Sequence, residues 1–150
     1  MSTSSPPTPT SMGKVVTRLT VVNVLDQARA ESGEMGQQAV RSVALDDALV
    51  DSGATTLCLP SDIIAHLGLR LRRMVSISTA DGQRTARLFR DAEITVEGRS
   101  GTFDCLELDS GRPTLLGVIP LEALGIELDL HNQRLRLLPE GPNDTYFTVL

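Results

Sequence analysis

A chain of 150 residues with 41% hydrophobic content has room for one domain and one core, which excludes two independently folded catalytic domains. Its 14 Lys and Arg against 19 Asp and Glu give a formal charge of −5, so no surface built to neutralise a run of phosphates is expected, and no nucleic-acid partner with it. No stretch approaches the ~18 consecutive apolar residues of a membrane span, and the N-terminus lacks a basic-then-apolar leader. The chain is therefore expected to be soluble and cytoplasmic, with no membrane partner.

In chain order, residues 1–12 are, between Met1 and Met12, all Ser, Thr and Pro without apolar periodicity and read as a disordered tail. The domain then occupies 13–139. Residues 15–25 are rich in β-branched side chains and predict a strand, followed by a polar loop over 28–38. A second strand is predicted from Ala39 to Leu45, a turn at Asp46 and Asp47, and a short buried strand at Ala48, Leu49 and Val50 that runs directly into Asp51. Pro60, Ser61 and Asp62 give a helix start, and Gly68 gives its stop. Strand patterns on both sides of Ala80, Asp81, Gly82 and Gln83 predict a projecting β-hairpin, since Asp-Gly tolerates the positive φ of a tight turn. A second hairpin is predicted around residues 97–101, a short apolar strand at 114–117, a helical turn or two at 120–124, and a closing hairpin around His131 and Asn132. Many short strands with only one or two short helices predict an all-β closed barrel.

The segment that carries chemistry is Ala48-Leu49-Val50-Asp51-Ser52-Gly53-Ala54. A carboxylate at the edge of a core is desolvated and needs hydrogen bonds or a change of protonation, and function is one reason to keep it there. Ser52 can brace the backbone, and Gly53 lets a second chain or a substrate come close. Taken alone, the tetrapeptide also suits a plain turn in which Asp51 caps backbone amides.

Residues 48–60 and the helix that follows them resemble the active-site region of the retropepsin-like, single-domain aspartic peptidases, in particular their small bacterial members. Leu115-Leu116-Gly117 with the short helix after it looks like the second hallmark of that family, and the Asp81-Gly82 hairpin falls where its members carry a flap. The resemblance spans residues 39–138. It implies that Asp51 is the catalytic aspartate, that the Ser52 hydroxyl crosses to a partner subunit, and that Gly53 and Ala54 form part of the substrate-contacting floor. This sequence departs from the retroviral members at Thr55 and Val118, where those carry an acidic residue and an arginine that pair. Both partners are absent together, so no buried charge is stranded.

Aspartic-peptidase chemistry needs two carboxylates that share a proton, and this chain offers one candidate. The resemblance thus implies a homodimer acting on a peptide or protein substrate, with Asp51 supplied by each subunit. The segment 140–150 is a second tail whose residues 145–150 have strand character, a candidate interface strand that could equally dock on its own subunit. An alternative keeps fold and dimer but makes the protein a catalytically inactive peptide- or protein-binding module. Cys58, Cys105, His66 and His131 are too few for a four-ligand zinc site without carboxylates, so no metal or cofactor is expected. Cys58, set between Leu57 and Leu59, reads as a core residue rather than a nucleophile paired with His66. The arginines at 70, 72, 73, 84, 87 and 90 read as solvated faces, with substrate steering as the alternative.

Overall fold

A computed structural model describes residues 14–139; the N-terminal tail and the candidate interface strand at 145–150 lie outside the described residues. Strand β1 (Val15–Asn23) leads into helix α1 (Val24–Glu31), a 3-10 turn (Gln37–Ala39) and strand β2 (Ser42–Val50). Strand β3 (Leu57–Pro60) and helix α2 (Ser61–Leu67) precede the long antiparallel pair β4 (Arg70–Thr79) and β5 (Gly82–Val96), then β6 (Arg99–Leu108). The described residues end in β7 (Leu115–Leu116), α3 (Val118–Leu124) and the hairpin of β8 (Ile126–Asp129) and β9 (Arg134–Leu137).

Seven strands form one sheet in the order β1-β2-β7-β3-β6-β5-β4, and β1 also pairs with β5, so the sheet rings round to its own first strand. The all-β class expected from the sequence is the one found. Alternation drives it: in β1, Val15, Thr17, Leu19, Val21 and Asn23 are buried while Val16 is half exposed. The inward residues of the ring meet in one core that includes Leu19, Leu57, Leu59, Ile94 and Leu116, with Leu121 and Leu124 of α3 closing it from one side.

Three features differ from the sequence expectation. Residues 24–31 are helical, not the start of a loop. The Asn23 side chain caps the helix by accepting from the Asp26 amide at 3.0 Å, and the fully buried Asp26 carboxylate takes three bonds from Arg41, at 2.7, 2.9 and 3.0 Å. Arg41 in turn lies over Gly68, the left-handed cap of α2, where an added Cβ would fall 1.9 Å from its guanidinium. Asp46 and Asp47 are not a turn. They face Arg18 in a bulge between Thr17↔Ala48 and Leu19↔Leu45, so β2 runs unbroken to Val50. Finally, the two hairpin turns are tighter than expected. Thr79 pairs with Gly82 across Ala80 and Asp81, and Val96 with Arg99 across Glu97 and Gly98, which both take positive φ (52° and 78°).

Candidate active site

Strand β2 ends at Val50 beside Leu116 of β7, a parallel pairing of two residue pairs, Leu49↔Leu115 and Val50↔Leu116. The Asp51 amide extends it by donating to the Leu116 carbonyl at 3.0 Å. The chain then leaves the sheet at once, and residues 51–56 make a loop whose turn is closed by the Ala54 amide on the Asp51 carbonyl at 3.1 Å. The Asp51 carboxylate stays half-buried at the mouth of that loop, with Oδ1 accepting from the Gly53 amide at 2.8 Å. Ser52 and Gly53 are exposed and Ala54, like Asp51, is half-buried.

Leu115, Leu116 and Gly117, the second motif picked out in the sequence, lie against this loop. Gly117 is buried under the loop: a Cβ there would stand 2.4 Å from the Thr56 carbonyl oxygen and 2.6 Å from that of Ala54. Those atoms are backbone and cannot swing away, so only glycine permits the crossing. Immediately after it, the amides of Val118 and Ile119 donate to the carbonyls of Ala54 and Thr55, both at 2.9 Å. The loop and α3 are thus joined by main-chain bonds at the positions where the resembled retroviral proteins use a charge pair.

Thr56 fastens the loop's far end through its hydroxyl, which donates to the Asp104 carbonyl of β6 at 3.0 Å. Sequence reasoning singled out neither Thr56 nor Asp104 as a site residue; the alternating β6 pattern marks Asp104 only as a strand residue.

Cys58 is buried in β3, its thiol turned to the Thr56 carbonyl at 3.6 Å and pushed up to about 11, first by burial and then by the nearby charge of Asp51. It is a protonated core residue, while His66 is exposed on α2, so no activated thiol is assembled. Burial likewise raises the Cys105 thiol.

Ala80, Asp81, Gly82 and Gln83 form the tip of the β4–β5 hairpin. The ladder between β5 and β6 stops at Leu88↔Leu106, so the hairpin beyond it is a two-stranded ribbon. Side chains tether the ribbon to the end of β6: Arg87 makes two bonds of 2.7 Å to Glu107, and Arg84 stands 3.7 Å from Asp109. Between them lies a cavity of about 370 Å³ walled by Met74, Arg84, Arg87, Glu107 and Ser110; Asp51 is not among its walls. The basic cluster is therefore largely neutralised within the chain. Among the described residues no group of three His, Cys, Asp or Glu side chains stands together as a metal site, and no helix is long and apolar enough to cross a membrane.

Comparison with known proteins agrees with this geometry. The model of a family described as Aspartyl protease matches residues 37–119, which holds the Asp51 loop, the hairpin and the glycine under the loop. No curated protein matches the chain.

Proposed function

From the premise that this chain belongs to the aspartyl protease family, we propose that it is a homodimeric aspartic endopeptidase of the cytoplasm that cleaves peptide bonds with a water activated by Asp51 of both subunits. The observation that carries this reading is the seat of Asp51: a carboxylate at the open end of β2, braced by one amide and backed by a loop that Gly117 and α3 hold in place.

In this mechanism a two-fold axis faces the two copies of Asp51, and like charges so close share one proton. The ionised carboxylate takes a proton from water as it attacks the substrate carbonyl, and the protonated one donates to the carbonyl oxygen. A second carboxylate from the same chain is poorly supported. Asp26 is buried on Arg41, Asp62 sits in the first turn of α2, and Asp129 accepts from the Asn132 side chain at 2.8 Å. Ser52, exposed beside Asp51, is free to reach across the axis, and the hairpin tip at 80–83 closes over the bound peptide and excludes water. The two buried thiols, unpaired in the chain, suit a reducing compartment.

The test is cleavage of a mixed peptide library between about pH 3 and pH 8 by the wild type and by Asp51→Asn, with sedimentation to read the assembly state. A dimer with an acid-side bell-shaped profile, and a dimeric but inert variant, is the expected result. Cleavage by Asp51→Asn, or by a monodisperse monomer, would overturn it. Peptide binding without cleavage by the wild type would make the protein a non-catalytic binding module.

A further inference from the structure

The root of the hairpin and the Asp51 loop meet at one residue. Two bulges sit at nearly the same level of the long strands. Arg72 is the extra residue of β4 between Leu71↔Phe89 and Arg73↔Leu88, and Arg90 with Asp91 stand against Asp104 alone between Phe89↔Cys105 and Ala92↔Phe103. Asp91 takes a left-handed φ of 65°, and the burial phase of β5 changes there, with Phe89 buried before it and Ala92 after it. Regular pairing is interrupted in both arms, so this is where the ribbon bends most easily.

Charges clasp that bend. Arg72 Nε donates to the Asp104 carboxylate at 3.0 Å, and Asp91 accepts from both Arg70 (3.2 Å) and Arg90 (3.1 Å). The Asp104 carbonyl, at the other end of the same residue, is the acceptor that fixes Thr56. Arg72 therefore acts on the hairpin arm and Thr56 on the Asp51 loop, and both bond to Asp104.

We propose that Asp104 is a positioning residue that couples the hairpin root to the Asp51 loop, so that the set of the hairpin and the set of the loop change together. This rests on the peptidase reading for its consequence in catalysis, but the coupling is a property of the fold and is measurable without turnover. The ion pair is more than a third exposed at both partners and contributes little to stability. Its effect is on the position of Asp104, which stands opposite the β5 bulge between ladder-paired neighbours. Coupling is reciprocal: whatever Arg72 does to the loop, Thr56 does to the hairpin.

The experiment is a double-mutant cycle of Arg72→Gln and Thr56→Val, read by amide hydrogen exchange in the Asp51→Asn protein and by peptide cleavage in the otherwise native one. The expected result is that each single variant speeds exchange of both segments, residues 52–56 and 73–87, by about threefold, and that the double variant adds little. Arg72→Lys and Thr56→Ser, which keep a donor, restore most of the protection. In cleavage, each single variant lowers kcat/KM by about tenfold and the pair by far less than a hundredfold. Arg72→Gln that loosens only the hairpin, with Thr56→Val loosening only the loop and the two adding, would overturn the coupling; so would no change in either. A wild type that cleaves nothing counts against the peptidase reading alone, since the exchange arm still decides the coupling.

Discussion

The loop that carries Asp51 and the hairpin that rises from β4 and β5 are held by opposite means. Apart from the Thr56 hydroxyl at its far end, the loop is fixed mainly by main chain: five backbone bonds at 2.9–3.1 Å tie Leu49, Asp51, Ala54, Val118 and Ile119 into one knot around a glycine that admits no side chain. The ribbon beyond Leu88 is fixed by side chains on its own surface, through the Arg87–Glu107 and Arg84–Asp109 pairs. A site that must present a carboxylate at one fixed point gains from short bonds that few substitutions can alter. Under the proposed mechanism the hairpin opens and closes over substrate, and such a segment gains from contacts that water can replace. The largest effects of substitution should accordingly fall on the loop's supports and the smallest on the ribbon's tethers.

Gly117→Ala is the strongest way to break this contrast. Its Cβ would meet two carbonyl oxygens at 2.4 and 2.6 Å, neither of which belongs to a flexible side chain. Destabilisation of about 3 kcal/mol is expected in urea unfolding, at the upper end for overpacking because main chain must move. Gly36→Ala is the control: its Cβ meets only the end of the Gln38 side chain, at 3.2 Å, and a change within ~0.5 kcal/mol is expected. Equal effects at both positions would mean that the loop does not need the close approach.

Next comes the clamp beneath α1. Arg41 holds the Asp26 carboxyl below its ordinary range, mainly by side-chain hydrogen bonds that outweigh the opposing effect of burial. The folded chain then binds this proton less readily than the unfolded chain, whose aspartates titrate near ~3.9. The stabilisation is present in full above that value and is lost as pH falls through the lower, folded one. Asp26→Asn should remove about 2 kcal/mol at neutral pH, the worth of hydrogen bonds to a charged group, and flatten the acid limb of the stability curve. An unchanged acid limb in that variant would show that Asp26 is not the group responsible.

The same clamp explains where the sequence misleads. The Asp51 loop and the Gly68 stop are legible because each depends on residues a few positions apart, whose chemistry admits few alternatives; Gly117, set against the Ala54 and Thr56 carbonyls some sixty positions earlier, is legible only through the family resemblance. Helix α1 is not legible, because its one fully buried residue is Asp26, whose partner Arg41 comes fifteen positions later. Asp46 and Asp47 have turn chemistry and become a bulge, since Leu45 and Ala48 must each keep a partner on β1. Thr56 and Asp104 escape for a related reason: their bond runs through a backbone carbonyl, which leaves no trace in residue type.

The smallest effects separate the two tethers of the ribbon. Arg87 grips Glu107 with two short bonds and also lies 5.4 Å from the centre of the Phe89 ring, so its side chain is held from two directions. Arg84 reaches Asp109 at 3.7 Å, with the aspartate three-quarters exposed, a pair of the kind that adds next to nothing in water. Arg87→Gln should therefore speed amide exchange in residues 82–87 by about threefold, while Arg84→Gln changes it by less than about twofold. Because both tethers lie above the bulges, neither substitution should reach the amides of residues 52–56. If Arg84→Gln proved the more disruptive, the ribbon would be held chiefly from its tip, and the bend at Arg72 and Asp91 could not be where its motion begins.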